Sequence, residues 1–150
     1  RYFFIMRGIN THLNFDMDLA KNESDENPVY YLQYAHARLC NILKHADSQG
    51  HKLDKKIDLT HLVLDSEIRL IKLLLEFPNI IEKSKDNLEP QTIATYLQNL
   101  AGIFHKYYAK ERVVTEDIAK TDARLVLVRA LQIVLFNGLS VLGIHAPERM

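Results

Sequence analysis

The apolar positions of the chain fall into stretches of helical rhythm separated by short polar links. The clearest stretch opens at Asn27-Pro28. The Asn27 side chain can accept hydrogen bonds from the first helical turn, and Pro28 suits the first position because its missing N–H would have no partner there. Val29, Leu32, Leu39, Cys40 and Leu43 then recur at i, i+3, i+7 spacing and make one apolar face, with Gly50 as the stop. Leu64, Ile68, Ile71, Leu74 and Leu75 give the buried face of a second helix, opened by Asp58 or Thr60. Pro78 is expected to break it near Glu76 or Phe77, because proline lacks an N–H and clashes with the preceding turn. Phe77, Ile80 and Ile81 then begin a short amphipathic helix that fades into the charged run 82–89. Pro90 starts the next long helix, lined by Ile93, Leu97, Leu100 and Phe104 and extended by Ile103, Tyr107 and Tyr108. The β-branched Val113, Val114 and Thr115 close it into a loop. Asp117 or Thr121 leads into a last helix that runs to Leu142 and stops at Gly143. That helix is apolar on most sides, so it is expected to be the central and most buried one.

The pattern before Asn27 is ambiguous. Leu13, Phe15, Met17 and Leu19 alternate with polar residues, as a short strand would. Asp16 or Asp18 could equally cap a short helix through Lys21. The whole pattern predicts an all-α fold, an antiparallel helical bundle of about five helices joined by short links.

Composition narrows this picture. A length of 150 residues with 47% apolar content suits one domain with a proper core. The 19 basic and 19 acidic residues balance. No global field draws in nucleic acid, so any RNA contact must come from local placement. The single Cys40 excludes an intrachain disulfide and suits a reducing, cytoplasmic setting. The most apolar run, 125–144, is interrupted by Arg129, Gln132 and Asn137, which reads as a buried core helix and not a membrane span. Lys52, Lys55 and Lys56 lie in a polar stretch that reads as a solvated linker before a phosphate contact.

Little in the chain supports catalysis. It has no P-loop or dinucleotide glycine pattern and no CxxC or HExxH set, so neither a catalytic residue nor a metal site is expected. His36 sits on the apolar stripe with no nucleophile or carboxylate at a matched spacing and reads as a hydrogen-bonded core histidine. Cys40 reads as a small core hydrophobe. A second face of the Asn27 helix is more informative. At about 100° per residue, Tyr31, Tyr34 and Arg38 fall in one arc away from the apolar stripe. Two rings and a guanidinium on one side can stack a base and hold a phosphate. Tyrosines on bundle helices also serve as half-buried packing residues.

The string NPVYYLQYAHARLCNI resembles the helix that opens the anticodon-binding domain of arginyl-tRNA synthetases. RYFFIMR, FDMDLA, NLAGIFHKYYAKERVV and RLVLVRALQIVLFNGLSVLGIHAPERM fit the same family in order, so the resemblance spans nearly the whole chain. It implies that residues 1–21 are the end of a catalytic region and that 22–150 form the helical domain. It implies that Tyr31, Tyr34 and Arg38 match the Tyr-x-x-Tyr-x-x-x-Arg pattern facing the anticodon loop. Tyr108, in His105-Lys106-Tyr107-Tyr108, matches a tyrosine of the base pocket, with Tyr107 as the competing choice. Met150 matches a methionine that closes the same region, making it the expected natural C-terminus of a chain cut only at its start. Asp122-Ala123-Arg124-Leu125 corresponds to the family's DALR label with Arg and Leu reversed, and is expected to serve packing.

The HIGH-like and KMSKS-like motifs with which such enzymes bind ATP are absent from this sequence. The resemblance therefore implies a tRNA-Arg-binding module that needs no cofactor of its own. Its parent would ligate arginine with ATP and Mg, as a cytoplasmic monomer with no DNA or membrane partner. The competing readings are a helical protein-interaction or oligomerisation module and the matching domain of another class I synthetase, such as a cysteinyl one. An isolated enzyme is the weakest reading.

Overall fold

The computed structural model describes residues 1–8, 15–53 and 56–150. Leu13 and Lys55 lie outside the described residues. Among those described, every regular element is helical: α1 (Tyr2–Ile5), α2 (Met17–Lys21), α3 (Pro28–Ser48), a 3-10 turn (Leu59–His61), α4 (Asp65–Asn87), α5 (Gln91–Tyr108) and α6 (Ile118–Val141). The all-α expectation holds. The helix count differs, because two short N-terminal helices are added and two expected helices merge.

Local chemistry explains most boundaries. The Asn27 side chain accepts from the N–H groups of Val29 and Tyr30, and Pro28 fills the first turn of α3. Asp16 accepts from the N–H groups of Asp18 and Leu19, so this stretch is a one-turn helix and not a strand. Asp58 caps only the 3-10 turn; α4 begins later, at Asp65. Asp117 caps α6 through the N–H of Lys120. Gly143, at φ +65°, ends the helix: the N–H of Ile144 reaches back to the Leu139 carbonyl, a geometry that favours a residue without Cβ.

Pro78 does not break α4, which runs unbroken to Asn87 with the proline inside it. Pro78 faces solvent, and the turn around it is held from the other side. Phe77 stacks on Tyr96 at 5.6 Å, and the Tyr96 hydroxyl donates to the Leu73 carbonyl at 2.8 Å. Tertiary contacts thus stabilise a turn that the local sequence opposes. The Tyr96 hydroxyl is held well above its usual pKa, first by burial and then by nearby Glu76, so it remains a donor.

The long helices alternate in direction. Tyr96 meets Leu73 and Tyr107 meets Glu67, so α4 and α5 are antiparallel. Gln132 meets His36 while the later His145 meets the earlier Gln33, so α3 and α6 are antiparallel. Gln98 donates to the Pro28 carbonyl while Tyr31 packs on His105. α3 and α5, which lie side by side, therefore run in one direction.

α6 touches α3, α4, α5 and the 3-10 turn, and eleven of its residues are buried. Leu131, Leu135 and Leu139 are fully buried, and Gly138 lets Leu97 of α5 approach to where a Cβ would meet it at 2.6 Å. By length and composition alone α6 could cross a bilayer, but these leucines are used in the bundle core. It is central without being encased: Arg129, Ile133, Phe136, Asn137 and Val141 leave one side of its second half open.

Candidate nucleic-acid interface

Beside the core lies a groove of about 720 Å3 between the middle of α3 and the loop after α5. Its lining includes Tyr34, Arg38 and His45 from α3, Tyr108 from α5, Arg112 from the loop, and Met150 from the tail. Four of the five residues singled out in the sequence, Tyr34, Arg38, Tyr108 and Met150, border this space.

Tyr31 stands beside the groove and not in its wall. Its ring packs on His105 at 4.7 Å, and burial raises its hydroxyl pKa, with Asp25 adding to the effect. Tyr34 is 38% exposed and lies between the rings of Tyr30 and His105, at 6.4 and 6.0 Å. The Arg38 guanidinium donates to the Tyr34 hydroxyl. It lies 4.5 Å from the Tyr34 ring centroid and 5.5 Å from that of Tyr108, within cation–π range of both. Its Nη1 also faces His105 Nδ1 at 3.4 Å. The convergence on α3 and α5 is therefore present, with one change of geometry. The N-terminal half of α3 lies beside the C-terminal half of α5 with both helices running the same way.

Met150 reaches the groove because the tail is tied along α3. The Gln33 side chain donates to the His145 carbonyl at 2.8 Å, and Lys44 pairs with Glu148 at 2.7 Å. His36, buried as expected, is the third tie: its Nδ1 lies 2.8 Å from the Pro147 carbonyl and its Nε2 lies 2.9 Å from the Gln132 amide nitrogen. With these partners Nδ1 donates to the Pro147 carbonyl and Nε2 accepts from the Gln132 amide. Cys40 is buried beside it, and burial pushes its thiol pKa up, which suits an inert packing role.

Sequence reasoning missed two features. His105 lies at the centre of the cluster, though it stood in the quoted His-Lys-Tyr-Tyr string; no spacing rule relates it to Arg38. The second is the ion pair beneath the groove. Arg124 Nε donates to Glu67 Oε1 at 2.7 Å, with both residues essentially excluded from solvent. Its Nη1 donates to the Arg112 carbonyl at 2.6 Å and its Nη2 to Glu111 at 3.1 Å. Glu67 also accepts from the Leu64 N–H and the Tyr107 hydroxyl. The Asp122–Leu125 segment is internal, but its arginine is an ionic anchor that fixes the 111–112 loop. Tyr107, 2% exposed, belongs to that anchor, and its hydroxyl pKa is raised chiefly by burial. Tyr108, its neighbour, is the one that borders the groove.

Residues 32–150 match the DALR anticodon binding domain. The chain belongs to that family. DALR relatives include arginine–tRNA ligases of Desulforamulus reducens and Geotalea daltonii, each 47% identical over 152 aligned positions. Each alignment takes in all of this chain but 27% of the relative, so the chain spans about a quarter of the curated relatives it matches. The fold agrees: an arginyl-tRNA synthetase of Thermus thermophilus superposes with a TM-score of 0.86 at 30% identity, over 99% of this chain and 25% of that one.

Proposed function

We propose that the groove bordered by Tyr34, Arg38, Tyr108 and Met150 receives unpaired anticodon bases of tRNA-Arg, with Tyr31 supporting it from beside. The chain would act as the RNA-reading part of an arginine–tRNA ligase. The carrying observation is the meeting of α3 and α5 at Arg38, which sets a guanidinium between two partly exposed tyrosine rings at the edge of an open groove. Each ring offers a stacking surface, and the guanidinium offers donors to a base edge or a phosphate. In this reading residues 1–21 link to a preceding catalytic region. The parent works as a cytoplasmic monomer and supplies the site for ATP, Mg and arginine. Residues 1–150 alone would then give no arginine-dependent pyrophosphate exchange.

The balanced charge of the chain predicts a modest salt dependence carried by few phosphate contacts. The test is a titration of tRNA-Arg against the folded chain at several salt concentrations. Base stacking is worth roughly 1–3 kcal/mol by alanine substitution, so Tyr34→Ala should weaken binding by about one to two decades. Arg38→Ala should reduce the salt slope by about 0.7 if it holds a phosphate. Arg38 reading a base would instead show as lost discrimination at one anticodon position. Wild-type affinity in both variants would refute the assignment.

A further inference from the structure

His105 stands where the cluster converges. It comes from α5 but packs against three residues of α3: Tyr31 at 4.7 Å, Tyr34 at 6.0 Å, and Arg38, whose Nη1 faces His105 Nδ1 at 3.4 Å. A guanidinium can only donate. Nδ1 must therefore carry a lone pair, and the ring proton of the neutral form sits on Nε2. Nε2 is buried without a hydrogen bond, although the Tyr31 main-chain carbonyl is near enough to favour the charged ring in part.

We infer that His105 is the positioning residue of Arg38: its neutral ring, accepting at Nδ1, holds the guanidinium between Tyr34 and Tyr108 in the geometry that meets RNA. Protonation would remove the acceptor and set a cation against Arg38. The guanidinium would then leave the tyrosines, and affinity for RNA would fall on acidification.

The surroundings set the direction of the proton equilibrium. Burial is the main influence lowering the His105 pKa from its ordinary value, and the Arg38 charge lowers it further. Asp25, in the link before α3, and the Tyr31 carbonyl act the other way. Tyr31 and Tyr34 from α3 pack on the ring, and Tyr108 of α5 meets Arg38 on its other side. Arg38 is thus the permanent charge whose placement answers to the ring.

The consequence for RNA rests on the reading above, so the experiment has two arms. The first needs no RNA. The Arg38 side-chain N–H signals are followed by NMR while His105 is titrated in the free 150-residue chain. They should move with the His105 midpoint, and that midpoint should rise in Arg38→Ala. The second arm measures tRNA-Arg affinity against pH for wild type, His105→Phe and His105→Asn. Phenylalanine keeps a ring without an acceptor; asparagine places a neutral oxygen near the Nδ1 position. His105→Phe should bind about threefold to tenfold more weakly at neutral pH, the scale of one ordinary lost hydrogen bond, with a flattened pH profile. His105→Asn should retain neutral-pH affinity and lose the acid dependence. Arg38 signals indifferent to the His105 titration would overturn the inference whatever the RNA result. So would His105→Phe binding with wild-type affinity and an unchanged pH profile. Arg38 signals that follow His105 with no RNA binding at any pH would support the positioning role and refute the anticodon reading instead.

Discussion

Arg124 and Arg38 each set a guanidinium beside one of two consecutive tyrosines of α5, at 5.9 Å from the Tyr107 ring centroid and 5.5 Å from that of Tyr108. Their surroundings separate them. Arg124 is 1% exposed and bonds Glu67, Glu111 and the Arg112 carbonyl. Arg38 is half-buried, has no carboxylate partner among the described residues, and faces a tyrosine hydroxyl and a histidine nitrogen. A buried guanidinium with its charge matched is committed to the fold. A half-open one held by neutral partners keeps its charge for something that arrives. The same pair of residue types is an anchor in one place and a candidate contact in the other, and one helical step between Tyr107 and Tyr108 decides which.

The largest expected effect lies on the anchor. Glu67→Ala leaves Arg124 charged and buried without its main partner, which should cost about 3–5 kcal/mol of stability. Thermal or urea unfolding of the 150-residue chain reads this directly. Replacing both residues by apolar ones of similar volume should recover much of the loss. If the single substitution is nearly silent, Arg124 is not the anchor described and the contrast collapses.

The tyrosine pair gives the next effect. Tyr108→Ala should weaken tRNA binding by roughly 1–3 kcal/mol if it stacks on a base. Tyr107→Phe, which removes the hydroxyl from Glu67, should lower stability by about 1 kcal/mol and leave RNA affinity unchanged. Equal effects of the two on binding would mean that burial does not divide their roles.

Acid should act on the open cluster before the anchor. His105 has a folded pKa below its ordinary 6.5, so the unfolded chain takes up the proton more readily. The stability it contributes is fully present above pH 6.5 and is lost as pH falls through the folded value. A melting temperature that declines on acidification across that window, with a shallower decline in His105→Phe, is expected. The smallest effect belongs to Glu148→Gln. Its carboxyl pKa is lowered by the Lys44 bond, yet both partners face solvent, so the melting point should barely move.

Legibility in the sequence follows the same division. The cap at Asn27-Pro28, the core faces and the stop at Gly143 rest on neighbours within one turn, and periodic spacing is enough to see them. The Tyr31–Tyr34–Arg38 face was visible for the same reason, and the position of Tyr108 came from resemblance. Pro78 was misread because its local rule is overridden by Phe77 and the Tyr96 hydroxyl, the latter bonding across 23 residues. The Glu67–Arg124 pair spans 57 residues and the Arg38–His105 contact 67, and no periodicity links such partners. Met150 depends on ties from Gln33, His36 and Lys44 to the tail, which only the folded chain brings together.

The account turns on whether RNA meets the Arg38 side of α5 and spares the Arg124 side. An NMR titration of the 150-residue chain with a tRNA-Arg anticodon stem–loop reads both at once. The expected result is a set of shifts in the rings of Tyr34 and Tyr108, the Arg38 side-chain N–H groups and the Met150 methyl, with Tyr107 and the Arg124 side chain unmoved. Shifts confined to the open side of α6, or equal movement at Arg124 and Arg38, would contradict it.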